Sequence, residues 1–217
     1  PAENPRPADP TPRAPALVPI REVGARHRPQ ILWHLLALDA RDRYLRFGYA
    51  AGDEQVRRYV EGLDFERDQV FAIFNRKLEL IAMAHLAHPD FMAETGHAEF
   101  GVSVAAHARG RGYGSLLFAR AATSAINRGV DTLYIQALTE NGAMLHIARK
   151  AGAEIEHAGS ESEARLRLPE STFRTRLDQL LADQVGQMDY WFKHEASTLR
   201  EMLNGTSPAP TRSRPRH

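Results

Sequence analysis

The prolines of this chain show which part of it can form a folded domain. Seven of the 13 prolines lie in residues 1–19 and three lie in residues 204–217, which leaves three for residues 20–203. Proline fixes φ and donates no backbone hydrogen bond, so proline-rich segments favour an extended, solvated chain. We therefore expect disordered tails at residues 1–17 and 204–217, with the folded body between them.

The composition is that of a globular protein with one domain or two small ones. The chain has 217 residues, against roughly 150 per domain, and its hydrophobic fraction of 43% can supply a core. It has neither the roughly 18 consecutive apolar residues of a transmembrane helix nor the pattern of a signal peptide. The absence of cysteine excludes disulfides, thiolate metal sites and a cysteine nucleophile. The simplest location is the cytoplasm.

The charge pattern does not indicate a nucleic-acid-binding surface. The formal net charge is +1, and Arg212, Arg214 and Arg216 in the last tail contribute +3, so the rest of the chain is at −2. A basic tail can bind nucleic acid or a membrane, but three arginines are fewer than the basic runs of about five to eight residues that usually do so. We expect a solvated basic tail and neither a nucleic-acid nor a membrane partner.

Short apolar runs and amphipathic segments alternate along the folded body. Val70–Phe74 and Leu78–Ala84 have the composition of strands, with a hairpin turn at Asn75–Lys77 between them, and His97–Ala105 follows as another strand. The other predicted strands are Leu17–Val23, Thr132–Leu138, Ile155–His157 and Arg165–Leu168, and the predicted helices are Gln30–Leu38, one beginning at Asp53, Tyr113–Arg128 and Asn141–Lys150. This order favours a mixed α/β fold in which helices cover one sheet.

A glycine-rich loop between a predicted strand and a predicted helix carries the strongest chemical signal. Its sequence is Arg109-Gly110-Arg111-Gly112-Tyr113-Gly114-Ser115. Glycines let backbone N–H groups converge and the helix N-terminus adds partial positive charge, so such a loop can hold a phosphate.

The spacing of the glycines and the residues after them exclude two nucleotide-binding motifs. A P-loop needs Lys and Ser or Thr after its last glycine, and the G-x-G-x-x-G fingerprint would place Ser115 or Leu117 at its third glycine.

The loop resembles a motif of the GNAT superfamily of acyl-CoA-dependent N-acetyltransferases. Arg109-x-x-Gly112-x-Gly114 is similar to the family's R/Q-x-x-G-x-G/A signature and lies between a strand and a helix. Downstream, the segment from Asn141 to Gly152 is similar to the family's second motif, which typically runs from Asn to Lys-x-Gly. The resemblance implies the GNAT fold over residues 18–168, with a central, mostly antiparallel sheet flanked by helices. It also implies acetyl-CoA as the co-substrate.

The resemblance further implies which residues bind the cofactor. In GNAT proteins the strand that corresponds to Val102–Val104 splays away from its neighbour, and the pantetheine arm pairs with exposed backbone there, here at Val102 and Val104. The diphosphate should lie on the loop amides, with charge added by Arg111; the residues implied are Arg109, Gly110, Arg111, Gly112, Tyr113, Gly114 and Ser115. Asn141 should hydrogen-bond the arm from the opposite side. Met144 and Ala148 should line the wall near the thioester, unless these two residues pack in the core.

Glu99 is the candidate catalytic base. An alkyl ammonium group, with a reference pKa of about 10.4, must lose a proton before it can attack the thioester, and a carboxylate near the cleft can remove that proton. Side chains alternate along a strand, so Glu99, Gly101 and Ser103 share a face on which small neighbours leave space for a substrate. The alternate residues Phe100, Val102 and Val104 are expected in the core. The alternative is that Glu99 is only a solvated strand residue.

Two segments also resemble one branch of the superfamily. Ala98–Val104 is similar to the corresponding strand of bacterial Pat-type protein-lysine acetyltransferases, in which a glutamate in this register serves as base. Arg43–Phe47 is similar to the same branch. The resemblance therefore implies a primary-amine acceptor, either a small molecule or a protein lysine.

One position departs from the family pattern. Many GNAT enzymes have a tyrosine four residues before the final glycine of the second motif, where it protonates the departing thiolate, and this chain has Ala148 there. Solvent can protonate a thiolate whose conjugate thiol has a pKa of about 8.5, and the absence of cysteine excludes an acyl-cysteine intermediate. We therefore expect direct transfer in a ternary complex. The alternative function is a catalytically inactive acyl-CoA sensor or regulatory module.

Residues 169–203 are predicted to form a helical extension. Apolar residues recur at spacings of three or four from Phe173 to Leu203, so one stripe must be buried. A single helix of this length would span about 50 Å, more than a compact domain can cover, which favours a homodimer through this helix. The alternative is two shorter helices, broken near Gly186 and folded back on the same chain.

Histidines near strand ends do not indicate a metal site. His85 and His88 flank the end of one predicted strand, and His97 opens the next. No carboxylate or further histidine lies with them at a recognised ligand spacing. We expect polar loop residues and no metal.

Overall fold

The computed structural model describes residues 18–88 and 96–168, in which helices pack on both faces of a single sheet. The strands are β1 Ile20–Val23, β2 Gln69–Phe74, β3 Leu80–Ala87, β4 His97–Val104, β5 Thr132–Leu138, β6 Glu154–Ala158 and β7 Glu161–Arg167. The helices are α1 Arg28–Leu36, α2 Ala40–Phe47, α3 Asp53–Glu61, α4 Tyr113–Asn127 and α5 Gly142–Ala151, with short 3-10 turns at Ala25–His27 and Ala106–Ala108.

The sheet has seven strands in the order β1-β2-β3-β4-β5-β7-β6. Every neighbouring pair is antiparallel except β4 and β5, which are parallel and are connected through α4. A parallel pair requires such a crossover, whereas β2 and β3 need only the short turn at residues 75–79. The expected mixed α/β fold with a mostly antiparallel sheet is therefore confirmed.

The core lies on both faces of the central strands. In β2, Phe71 and Ile73 pack in the cluster formed with α4 and α5, whereas Val70 and Ala72 pack in the cluster formed with α1 and α3. All four side chains are buried. A strand that is covered on both sides reads as a continuous apolar run, which is why this strand is apparent from the sequence.

β4 and β5 separate after three residue pairs, and the gap between them positions the site. The pairs are His97 with Thr132, Ala98 with Leu133 and Glu99 with Tyr134. Beyond Glu99, β4 continues alongside β3 to Val104, whereas β5 continues alongside β7. The strand splay implied for Val102–Val104 is therefore present, and the facing edges of β4 and β5 are free of pairing with each other.

Helix α2 is absent from the predicted order of elements, whereas the other helices and strands are confirmed with bounds that differ by a few residues. Four of its eight residues are arginine or aspartate and none is fully buried, so it has too few apolar residues to stand out as a helix in the sequence. Its ends do carry local signals. The Asp39 carboxylate accepts a hydrogen bond of 2.7 Å from the Asp42 N–H, and Gly48 ends the helix with a φ of 81°.

Several predicted segments lie outside the described residues. These are the tails at residues 1–17 and 204–217 and the helical extension at residues 169–203. Within the part of the chain that the structure describes, no helix is both long and apolar enough to cross a membrane.

Candidate active site

A cavity of about 780 Å³ occupies the gap between β4 and β5. This volume is within the range of sites that enclose a small-molecule ligand. The predicted site residues that line it are Glu99, Val102, Val104, Arg109, Gly110, Gly112, Tyr113, Gly114, Ser115, Asn141 and Met144. Arg111 and Ala148 do not line it: the Arg111 guanidinium lies 3.5 Å from the His107 carbonyl, and Ala148 is fully buried in the core.

The glycine-rich loop forms one end of the cavity. Gly110 and Gly112 have φ values of 73° and 72°, a backbone conformation that glycine adopts with little steric cost. Helix α4 begins at Tyr113, directly after Gly112, so its first backbone N–H groups have no acceptor within the helix. No acidic residue lies in the first turn of α4. These amides and the helix dipole together favour an anion at this end of the cavity.

Helix α5 forms the wall opposite β4. A β-carbon at Gly114 would lie 3.2 Å from Cδ1 of Ile147, so the glycine lets the start of α4 approach α5 closely. The Asn141 carboxamide caps α5 by accepting a hydrogen bond of 3.2 Å from the Met144 N–H, and it donates one of 3.3 Å to the Leu45 carbonyl of α2. One N–H of this carboxamide is left for a ligand, because a primary amide carries two.

An ion pair joins the loop to α2. The Arg109 guanidinium contacts the Asp42 carboxylate, whose side chain is only 10% exposed. Asp42 also lines the cavity, so a negative charge lies beside the loop and Arg109 neutralises it. The Arg109 Nε donates a further hydrogen bond of 3.4 Å to the Val104 carbonyl. The ion pair therefore fixes the position of α2 relative to both β4 and the loop.

Glu99 lies at the other end of the cavity, where β4 and β5 diverge. It is the last residue of β4 that pairs with β5, and it is exposed while lining the cavity wall. An exposed carboxylate at this place can reach a bound amine and can exchange its proton with water. Its distance along β4 from the loop leaves room between them for an extended ligand.

Glu99 and its small neighbours Gly101 and Ser103 all line the cavity, but two other side chains fill part of the space expected there. The Arg46 guanidinium covers Gly101, since a β-carbon there would lie 2.8 Å from Arg46 Nη1. Ser103 is buried and its hydroxyl lies 2.9 Å from Nε2 of His34. Helices α1 and α2 supply these two long side chains, which no pattern within β4 could predict.

Val102 and Val104 are half-buried rather than fully in the core. Both line the cavity, because β5 has diverged from this part of β4. Phe100 is buried as expected and packs edge-on against Phe118, with ring centroids 5.2 Å apart.

The hydrogen bonds of His34 fix its tautomer. Its Nδ1 lies 3.1 Å from the Leu80 carbonyl, which can only accept, so Nδ1 carries the proton and Nε2 accepts from the Ser103 hydroxyl. Burial, reinforced by the positive charge of Arg46, lowers the pKa of His34 from 6.5 to about 4. His34 is therefore neutral at physiological pH and adds no charge to the cavity.

A chain of hydrogen bonds holds Arg46 in place. Its Nη2 donates to the Tyr59 hydroxyl at 2.7 Å, that hydroxyl lies 2.8 Å from Nδ1 of His85, and Nε2 of His85 lies 3.0 Å from the Asp68 carboxylate. Burial raises the pKa of Tyr59, so the phenol keeps its proton and donates it to His85. Burial opposes ionisation of Asp68, but hydrogen bonds from His85 and the His88 N–H lower the pKa of this carboxyl.

His85 therefore has a structural partner on each ring nitrogen. Within residues 18–88 and 96–168, no three His, Asp or Glu side chains are grouped so that they could hold a metal ion. Tyr113 is the one tyrosine in the cavity wall that these residues form, and it lies at the loop end. Tyr134 does not line the cavity but packs edge-on against His97, with ring centroids 5.2 Å apart.

Comparison with models of known protein families shows which family the chain belongs to. Residues 18–154 match the family model described as the acetyltransferase (GNAT) domain. The chain belongs to the GNAT acetyltransferase family. The matched region covers more than half of the chain and includes β4, the glycine-rich loop and α5. The protein is thus an N-acetyltransferase of a family that uses acetyl-CoA.

Solved structures with the same fold support this assignment. The GNAT domain of PAT from S. lividans is 20% identical, with a TM-score of 0.59 over 69% of this chain and 89% of that chain. An acetyltransferase structure from Acinetobacter baylyi is 16% identical, with a TM-score of 0.58 over 71% and 94% of the two chains. Spermidine N-acetyltransferase from Vibrio cholerae, solved in complex with CoA and spermine, is 15% identical, with a TM-score of 0.53 over 69% and 95%. A comparison with curated protein sequences gives no significant match.

The charged cavity residues that the sequence does not predict include Asp42 and Arg46, which both lie on α2. His34 of α1 and Tyr59 of α3 do not line the cavity but contact Ser103 and Arg46, which do. The interior glycine of β4, Gly101, is the one local signal, because a glycine within a strand often marks the close approach of another group. It does not identify which group approaches.

Proposed function

We propose that the protein transfers an acetyl group from acetyl-CoA to a primary amine by direct attack in a ternary complex, with Glu99 as the general base. The observation that carries this proposal is the arrangement of the cavity in the gap between β4 and β5. The glycine-rich loop forms one end of the cavity and the Glu99 carboxylate lies at the other, and the edges of β4 and β5 between them do not pair with each other.

The cofactor-binding residues take their roles from this arrangement. Bound acetyl-CoA would supply the thioester that is attacked. The loop amides that follow Arg109 would hold its diphosphate, because the Arg109 N–H itself donates to the Ala106 carbonyl at 3.3 Å. The backbone of Val102 and Val104 would pair with its pantetheine arm, and the second N–H of the Asn141 carboxamide would reach that arm from the α5 side. Met144 would lie along the same wall. These residues fit an extended ligand with a diphosphate at one end.

Glu99 would remove a proton from the acceptor ammonium, directly or through water, because an amine attacks only in its neutral form. The amine nitrogen forms a bond to the thioester carbon, the carbon–sulfur bond breaks, and CoA leaves as the thiolate. Ala148 replaces the usual tyrosine and is buried, so solvent is the proton source for the thiolate in this proposal. The products are an N-acetyl amine and CoA.

The type of acceptor is a proposal supported by the comparisons, whereas the oligomeric state and the location are predicted from the sequence alone. The similarity in fold to a spermidine N-acetyltransferase supports an amine acceptor in general. A homodimer through residues 169–203 and a cytoplasmic location remain predictions of the sequence.

A thiol-release assay with acetyl-CoA and a panel of primary amines tests the proposed function. We expect CoA release that depends on the amine, and loss of this release in Glu99→Gln with unchanged acetyl-CoA binding. Glu156→Gln is the matched control, because Glu156 is an exposed strand glutamate that does not line the cavity. Tight binding of acetyl-CoA without release for any amine would instead favour the inactive sensor.

A further inference from the structure

Arg46 places in the cavity a positive charge that forms no ion pair within the described structure. The residue lines the cavity, and its buried Nε has no hydrogen-bond acceptor among the described residues. None of the ion pairs formed by residues 18–88 and 96–168 includes it. A guanidinium carries five N–H donors, and the Tyr59 hydroxyl accepts one of them. This cation therefore retains capacity for an anionic ligand.

The surroundings hold this guanidinium without neutralising it. The Arg46 Cζ lies 5.2 Å from the centroid of the Phe47 ring and 5.3 Å from that of the Tyr59 ring. Ring faces attract a cation but offer no carboxylate. The bond to Tyr59 holds the group, and the absence of a β-carbon at Gly101 lets it lie against β4. A cation that is held in place before the ligand arrives binds with a smaller entropic cost.

No nearby charged group forms an ion pair with Arg46, so its guanidinium can bind an anionic ligand. The Asp42 carboxylate is already paired with Arg109. Glu99 lies on the same face of β4, two residues before Gly101 and so roughly 7 Å away along the strand, and it forms no ion pair with Arg46 within the described structure. The cavity thus presents a carboxylate and a guanidinium side by side and unpaired with each other.

We propose that Arg46 binds a carboxylate of the acceptor, so that the substrate class is small amines that also carry a carboxylate, as free amino acids do. The ammonium of such a molecule faces Glu99, and its carboxylate accepts hydrogen bonds from the Arg46 guanidinium, a pairing whose planar geometry suits two parallel bonds. This inference rests on the proposed function, because it assigns the acceptor of the same site. A polyamine, by contrast, would bring only positive charge to Arg46.

The test compares acceptors that differ only in the carboxylate. The full chain is assayed with saturating acetyl-CoA and with L-methionine, L-phenylalanine, L-glutamine and 4-aminobutanoate, each against its carboxamide. The readout is the ratio of kcat/KM for the acid to kcat/KM for the amide. This ratio does not depend on the fraction of protein that is folded, because both rates come from one preparation. A lysine peptide with a neighbouring aspartate forms a separate arm.

Arg46→Gln is the deciding variant. We expect at least one acid to be preferred by the wild type, and its acid-to-amide ratio to fall by about 30-fold or more, as when one partner of a buried ion pair is removed. Arg46→Lys should retain part of the preference. Tyr59→Phe removes the hydrogen-bond partner of Arg46 but keeps the cation, so it should preserve most of the acid-to-amide ratio. If Arg46 had only a structural role, Tyr59→Phe and Arg46→Gln should lower this ratio equally. Arg41→Gln is the control, because Arg41 lies on α2 in an exposed pair with Glu140.

The outcomes separate this inference from the proposed function. If amines are acetylated but acids and amides are equal in the wild type, or the ratio survives in Arg46→Gln, the inference is overturned and the proposed function stands. Acetylation of the peptide alone overturns the small-molecule class. If no amine is acetylated, the proposed function fails, and thermal shifts with CoA and the same acid–amide pairs test the carboxylate site alone. Stabilisation by the acids but not the amides, lost in Arg46→Gln, supports the carboxylate site. Equal shifts with acids and amides overturn the carboxylate site as well.

Discussion

The guanidinium of Arg46 lies where a side chain at Gly101 would begin, with Nη1 2.8 Å from the place of a β-carbon. Gly101 does not have a positive φ, so the backbone itself would accept alanine. We expect Gly101→Ala to displace the guanidinium and to raise the acceptor KM while leaving acetyl-CoA affinity unchanged. The free energy of unfolding should change by only about 1 kcal/mol, because the end of an arginine can move and alanine is favoured over glycine in a strand. Steady-state kinetics measure the acceptor KM and urea unfolding measures the free energy of unfolding. An unaltered acceptor KM would show that the position of Arg46 against Gly101 does not affect acceptor binding.

Glu99→Gln should lower kcat by roughly 10²- to 10⁴-fold at pH 7, the usual contribution of a general base. The deficit should shrink as the pH approaches the amine pKa of about 10, because a larger share of the acceptor is then already deprotonated. The measurement is a pH profile of kcat/KM for wild type and variant with one alkyl amine. A deficit that is constant from pH 7 to pH 10 would contradict a base role and indicate positioning.

Arg109→Gln should weaken acetyl-CoA binding by about tenfold, which corresponds to roughly 1.4 kcal/mol. The reason is that Asp42, only 10% exposed, would then keep an unpaired negative charge beside the loop that is proposed to hold the diphosphate. Adding Asp42→Asn to this variant should restore part of the affinity, because it removes that charge. Titration calorimetry with CoA measures all four proteins of the cycle. Additive losses in the double variant would show that the two residues act independently.

His34 should make the protein less stable in mild acid. Burial lowers its pKa to about 4 in the folded state, below the unfolded value near 6.5, so the unfolded chain binds the proton more tightly. The contribution of His34 is therefore complete above about pH 6.5 and is lost as the pH falls towards 4. Between pH 7.5 and pH 5 it should amount to about 2 kcal/mol of the free energy of unfolding.

His34→Gln should remove this part of the pH dependence, as measured by urea unfolding at the two pH values. Asp68 does not interfere, because its pKa is lowered from 3.8 and it titrates below this window. His88 also has a lowered pKa but is present in both proteins, so its contribution cancels. His146→Gln, at an exposed position on α5, is the control and should leave the acid sensitivity unchanged, because His146 does not contribute to the lowered pKa of His34. Equal acid sensitivity in wild type and His34→Gln would show that His34 is not the cause.

The dimer is predicted from the sequence of residues 169–203. Light scattering of the full chain should give twice the 24.3 kDa of one protomer, and Leu180→Glu should shift the mass towards the monomer, because a charge on the apolar stripe disfavours its burial. A single 24.3 kDa species for the wild type would rule out the dimer and favour two helices that fold back on one chain.

The fold could be predicted largely because its central strands are buried on both faces and its long helices have an apolar stripe. The sequence predicts β5 with its observed bounds, Thr132–Leu138, and the observed start of α4 at Tyr113. Helix α2 could not be found in this way, since it buries none of its residues and is specified mainly by its caps at Asp39 and Gly48. Hydrophobic periodicity reports burial, so a charged, half-buried helix over a cavity leaves little trace in it.

The sequence alone determined the family motif, the glycine-rich loop between a strand and a helix, and the strand that carries Glu99, because each of these depends on residues that are close together along the chain. Only the tertiary structure decided what lies opposite that strand. Arg46 reaches Gly101 from a helix about fifty residues earlier in the chain, and His34 reaches Ser103 across 69 residues. Contacts of this kind arise from the packing of α1 and α2 against β3 and β4, and a pattern within one segment cannot encode the position of its neighbours in space.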